Sequence, residues 1–119
     1  MTVVKYSNIA SGKVTEEKVA ELDQGLDSFA VANFADQHCI LTGGANIHDF
    51  VFAKAYEFDV MLSKWDTDSL PAMNEARVAH ASVCIGSKVY VFAGMGNGNL
   101  LSTTMECLDL SSRLGYGFG

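Results

Sequence analysis

Proline is nearly missing from this chain: Pro71 is the one proline in 119 residues. Basic charge is also scarce, with 8 Lys and Arg against 14 Asp and Glu, a formal net charge of −6. The basic residues are scattered, and no two are adjacent. A polyanion is repelled by such a surface, so nucleic acids and anionic membranes are not expected partners. No apolar run approaches the roughly 18 residues of a membrane helix. The first residues lack a basic start followed by an apolar stretch, which favours a cytoplasmic protein. Cysteine is limited to Cys39, Cys84 and Cys107. An odd count without a secretory signal argues against a disulfide framework, and the lack of a C-x-x-C pair argues against zinc. Each cysteine lies in an apolar run, so buried reduced thiols are expected.

Catalytic signatures are missing too. His38, His48 and His80 form no H-E-x-x-H or Cys-His grouping. There is no G-x-S-x-G elbow. Gly96-Asn97-Gly98 lacks the lysine and the following helix of a phosphate loop, and reads as a hairpin loop. No metal or other cofactor is expected.

What is present is glycine, 11 residues of it, within a chain that is 49% apolar and 18% charged. That balance suits short strands and tight turns. Two segments share a shape: Cys39-Ile40-Leu41-Thr42-Gly43-Gly44 and Val89-Tyr90-Val91-Phe92-Ala93-Gly94. Their terminal glycines are 50 residues apart, as are Asp59 and Asp109. Upstream, Val31-Ala32-Asn33-Phe34 aligns with Ala81-Ser82-Val83-Cys84 without a gap. A period near 50 built of short strands fits propeller blades.

Strands are predicted over 29–34, 38–42, 53–58 and from Trp65. Asp36-Gln37 is read as a tight turn after the first of these. The unit restarts with strands over 79–85, 88–92 and 103–108, and Gly86-Ser87 is a two-residue hairpin signal. Residues 15–26 have partial helical spacing with acidic residues early, but a strand followed by an acidic loop is the preferred reading.

The stretch from Cys39 to Leu110 resembles the Kelch repeat. It carries apolar residues before Gly43-Gly44, then Phe58-Asp59, then Trp65 seven residues after Phe58. Pro71-Ala72-Met73, Arg77, His80, Val89-Tyr90-Val91 and Glu106 also follow the family pattern. The second unit departs from it, with Ala93-Gly94 for the glycine pair, Leu108 for the aromatic and Gly115 at the position matching Trp65. The resemblance implies an all-β fold, a partial Kelch-type β-propeller of antiparallel four-stranded blades. Residues 1–26 would end a preceding blade and form an acidic connection. Residues 27–76 would be a full blade, and 77–119 a second, truncated one.

Structural roles are expected for the residues that carry the pattern. Phe58 and Trp65 would fill space between packed sheets. Asp59 would bind backbone amides in its turn. Arg77 and Glu106 would pair, because buried charges need partners. Some Kelch-like propellers are enzymes, galactose oxidase with its copper site among them. Tyr6, Tyr56, Tyr90 and Tyr116 do not form such a set, so no enzyme is expected, and a galactose-oxidase-like part is the alternative. The leading expectation is a protein or peptide bound by loops at the rim: 45–52, 66–75 and 95–101. Asn46, His48, Asn97 and Asn99 are the exposed polar candidates there. Two blades are fewer than the four to eight that close a ring. The chain is therefore expected to be a fragment of a larger propeller, a non-functional remnant, or a unit that self-associates to complete one.

Overall fold

The computed structural model describes residues 2–7, 15–21, 26–35, 37–112 and 118–119, with side chains from Leu26 onward. Nine strands are described: β1 (Thr2–Ser7), β2 (Thr15–Glu21), β3 (Ala30–Phe34), β4 (His38–Thr42), β5 (Ala55–Asp59), β6 (Lys64–Asp66), β7 (Ala81–Ile85), β8 (Lys88–Phe92) and β9 (Met105–Asp109). They form three antiparallel sheets, β1-β2, β3-β4-β5-β6 and β7-β8-β9. The described residues contain no α-helix. Thr15–Glu21 is a strand, as preferred from sequence. The acidic loop expected to follow it, up to residue 25, lies outside the described residues, as do Asp36 and Gly115.

The four-stranded and three-stranded sheets repeat each other down to single hydrogen bonds. Gly43 N donates to Lys54 O, and Ala93 N to Thr104 O. Phe52 N donates to Gly44 O, and Ser102 N to Gly94 O. Val60 N donates to Gln37 O, and Leu110 N to Ser87 O. The isolated bridges Ala45–Val51 and Met95–Leu101 recur at the same spacing.

The ungapped alignment of the first strands is corrected by the register. Ala30 pairs with Thr42, and Ala81 pairs with Phe92, so Ala30 corresponds to Ala81 and Val31 to Ser82. The first hairpin leaves three residues between Phe34 and His38, the second only Gly86 and Ser87 between Ile85 and Lys88. One inserted residue shifts every side chain of β3 to the other face of an ungapped alignment.

Alternation along the strands places each residue on one of two faces. In the first sheet Ala32, Ile40 and Ala55 share one face, and against it lie Val89, Val91 and Leu108 of the second. Leu70 and Met73, from the connection after β6, fill the same core. Each of the larger side chains, Ile40, Leu70, Met73, Val89, Val91 and Leu108, contributes roughly 1.5–3 kcal/mol on burial, so this seam holds the two sheets together. The opposite face of the first sheet buries Leu41 and Tyr56 under Leu26 and Phe29, with Trp65 alongside. Phe58 is buried, and its ring lies 5.2 Å from that of Trp65.

The second sheet was expected to lack the Trp65 counterpart. Instead Gly119 N donates to Cys107 O and Cys107 N to Gly119 O, so residues 118–119 lie along β9 as β6 lies along β5. Phe118 is buried in the seam with Leu108. The three cysteines, expected to be buried, are partly exposed and unpaired.

Candidate binding surface

The loops between β4 and β5 and between β8 and β9 emerge at the same end of the two sheets. The loops share a backbone shape. Asp49 and Asn99 both adopt φ 59°, and Asn46 N and Gly96 N bond to Phe50 O and Leu100 O. Asn97 ties the loops together. Its side-chain amide donates to Val51 O at 3.1 Å, and its Oδ1 accepts from Val51 N at 2.9 Å.

The four polar candidates divide in two. Asn46 is not fully exposed. Its Oδ1 accepts from His48 N and Phe50 N at 3.0 Å each, a local turn that occupies the side-chain oxygen. Asn97 is spent on Val51 in the same way. His48 and Asn99 are exposed, and among the described residues their side chains hold no hydrogen bond.

Sequence reasoning missed the apolar tips. Ile47 is 90% exposed, Leu100 72% and Leu101 77%, with Phe50 half exposed nearby. A groove of about 360 Å³ runs between the second loop and the incoming connection, lined by Glu75, Ala76, Gly96, Asn97, Leu100, Leu101 and Ser102. The signal was available as Leu100-Leu101 and Ile47 inside otherwise polar loops. Apolar residues in loops are ambiguous from sequence, because a loop can fold them inward.

Beneath the groove sits a buried charge network. Arg77 is fully buried. Its Nε and Nη2 donate to Glu106 Oε2 at 3.3 and 3.0 Å. Nη1 donates to Ala93 O, Ser102 Oγ and Thr104 O, and Nη2 also donates to Thr104 Oγ1. The Glu106 carboxylate also accepts from the backbone amides of Asn74 and Glu75. The expected pair therefore forms, within the second sheet, and it fastens the entering connection to β9. Glu75 closes the network at the surface. Hydroxyl donors from Ser102 and Thr104, and then the Arg77 charge, hold its carboxyl below the usual range.

His80 lies between the sheets, with Nε2 2.8 Å from Thr42 Oγ1. Burial first, and then the Arg77 charge, lower its pKa to about 4. The ring is neutral at physiological pH, and its Nδ1 is buried without a described partner. At the other end of the sheets Asp59 acts as expected, accepting from Met61 N and Leu62 N at 2.9 and 3.0 Å. No group of three or more His, Cys, Asp or Glu among the described residues is placed to hold a metal ion.

Residues 76–113 match the family model of the Kelch motif. They span Arg77, His80, the β7–β8 hairpin, Gly94 and Glu106, the residues whose contacts have just been described. This segment is a Kelch repeat. The match falls on the unit with Ala93 and Leu108 in place of the usual glycine and aromatic. No curated protein matches the chain. The all-β architecture of antiparallel, repeating sheets packed face to face is that of part of a Kelch-type β-propeller. Among the described residues no helix is long and apolar enough to cross a membrane.

Proposed function

We propose that this Kelch-repeat module binds a protein or peptide through the loops at the shared end of its two sheets, and that it does no chemistry of its own. The observation that supports this most is the set of exposed apolar tips, Ile47, Leu100 and Leu101, on loops held in place by Asn97. Apolar side chains held out from a rigid frame lose little conformational freedom on binding, which is the condition for affinity from a small surface. His48 and Asn99 supply unspent polar groups at the rim. In this reading the module works as part of a larger propeller.

The test is a displayed peptide library panned against the chain, followed by affinity measurement on Ile47→Asp and Leu101→Asp. Both side chains are exposed, so circular dichroism should be unchanged while affinity falls at least about tenfold, the scale of a modest hot spot. Ligands that bind both variants as tightly as the parent would sink the reading. So would turnover dependent on stoichiometric copper in the purified protein.

A further inference from the structure

Asn97-Gly98 is the one Asn-Gly pair in the chain; Asn8, Asn33, Asn46, Asn74 and Asn99 all precede larger residues. Before a glycine, the next amide nitrogen reaches the asparagine carbonyl carbon unhindered, because no Cβ stands in its way. The pair lies in the turn Asn97–Asn99, and both of its residues are exposed. Gly98 adopts φ 76°, and a Cβ built there would meet nothing within 4 Å, so water has free access. This exposure does not come from a missing neighbour. The bridges Ala45–Val51 and Met95–Leu101 align Ile47 with Asn97 and His48 with Gly98. Both residues of the first loop are exposed although the second unit packs against the first, Ile47 at 90%.

What restrains the junction is the tie to the neighbouring loop. Asn97 Nδ2 donates to Val51 O at 3.1 Å, and Oδ1 accepts from Val51 N at 2.9 Å. Closing a ring onto Gly98 N turns the amide away from Val51 and breaks both bonds. Val51 is buried, so the loss of these partners is costly. The tie and the ring closure therefore exclude each other.

We propose that Asn97 is a deamidation site whose rate is set by its tie to Val51, and that conversion irreversibly unties the two loops. The Gly98 amide nitrogen attacks Asn97 Cγ, the side-chain amide leaves as ammonia, and a succinimide remains. Water then opens the ring at either carbonyl, giving aspartate or isoaspartate. One water is consumed and one ammonia released, with no change of oxidation state. A carboxylate has no N–H for Val51 O, so two acceptors meet where a hydrogen bond stood. The new charge also joins Glu75 in the lining of the same groove, like beside like. Isoaspartate further lengthens the main chain within the turn. The proposal goes beyond the binding function, and no ligand is needed to test it.

The full chain is incubated at neutral pH, folded and in urea, and conversion is followed by peptide mapping with isoaspartate detection. In urea Asn97 should convert ahead of the other five asparagines. In the folded chain it should convert roughly ten- to a hundredfold more slowly, because two hydrogen bonds must break first. The converted chain and Asn97→Asp should both melt below the parent. If Asn97→Asp fails to fold, the converted chain, made from folded parent, still reads the untying. Equal rates in the folded and urea-treated chain, no conversion in the folded chain, earlier conversion at another asparagine, or a converted chain that melts with the parent would overturn the proposal.

Discussion

The two Kelch-type sheets place different chemistry at one spot. Where the second holds Arg77, His80 and Glu106, the register puts Leu26, Phe29 and Tyr56 in the first. In the first sheet these residues form an apolar cluster with Leu41. In the second they form a buried ion pair with seven hydrogen bonds or ion contacts from the guanidinium. Both solutions tie the chain entering a blade to the strand two positions on. The comparison shows that the fold requires the space to be filled, and that the charges are one way of filling it. Buried ion pairs replaced as a whole by apolar groups often cost little, whereas half a pair costs much.

The largest expected effect comes from breaking that pair on one side. Glu106→Ala should cost about 3–5 kcal/mol in chemical denaturation, because the buried Arg77 charge loses its nearest carboxylate, the buried one. Copying the first sheet with Arg77→Leu and Glu106→Tyr together should cost at least about 1 kcal/mol less than the sum of the single changes. Additive losses would mean that the two sheets do not solve the same problem.

Gly43 and Ala93 sharpen the comparison at the strand ends. Both have positive φ, 64° and 62°. A Cβ at Gly43 would run into the carbonyl oxygen of Arg77 and lie 2.7 Å from His80 Cε1. Ala93 is exposed, and among the described residues no sheet packs against it. Gly43→Ala should therefore cost about 2–4 kcal/mol, a left-handed penalty plus a clash. Ala93→Gly should gain about 0.5–1 kcal/mol, the left-handed penalty less glycine's entropy. Thermal melts of the two variants should move in opposite directions.

Asn97→Ala removes both bonds to Val51, a buried residue, and should cost about 1–2 kcal/mol. It should also weaken any ligand held across the two loops.

A further effect is read from pH. His80 has its folded pKa lowered to about 4, below the unfolded value of 6.5. The unfolded state therefore binds more protons between these values. Stability present above pH 6.5 is lost as pH falls towards 4. Asp59, Glu75 and Asp109 have lowered values, and their contributions disappear at more acidic pH, as each protonates. His80→Phe, the first sheet's choice at this place, should remove the loss between pH 6.5 and 4 and leave the acid limb. Denaturation midpoints across pH decide it.

Much of this architecture could be read in the chain. The apolar run before Gly43-Gly44, the Gly86-Ser87 turn and the 50-residue spacing predicted antiparallel sheets in register, because alternation and turn chemistry are local properties. Asp59 and the Arg77–Glu106 pair were legible for a similar reason: a carboxylate in a turn and two charges in apolar surroundings need partners. The gap at the first hairpin was not legible, since Phe34 and Cys84 are both plausible strand residues and only pairing with β4 and β8 fixes the register. The candidate surface was read less well. Asn46 and Asn97 looked available because exposure of a polar loop side chain can be guessed, but its bond to another loop cannot.

The sequence by itself determined the strands, the turns and the period, because these follow from residue types a few positions apart. The tertiary structure alone decided which glycine position tolerates alanine and what replaces Trp65 in the second unit. Those depend on what packs against each residue from far along the chain. Gly43 is crowded by Arg77 and His80, whereas Ala93 is exposed among the described residues.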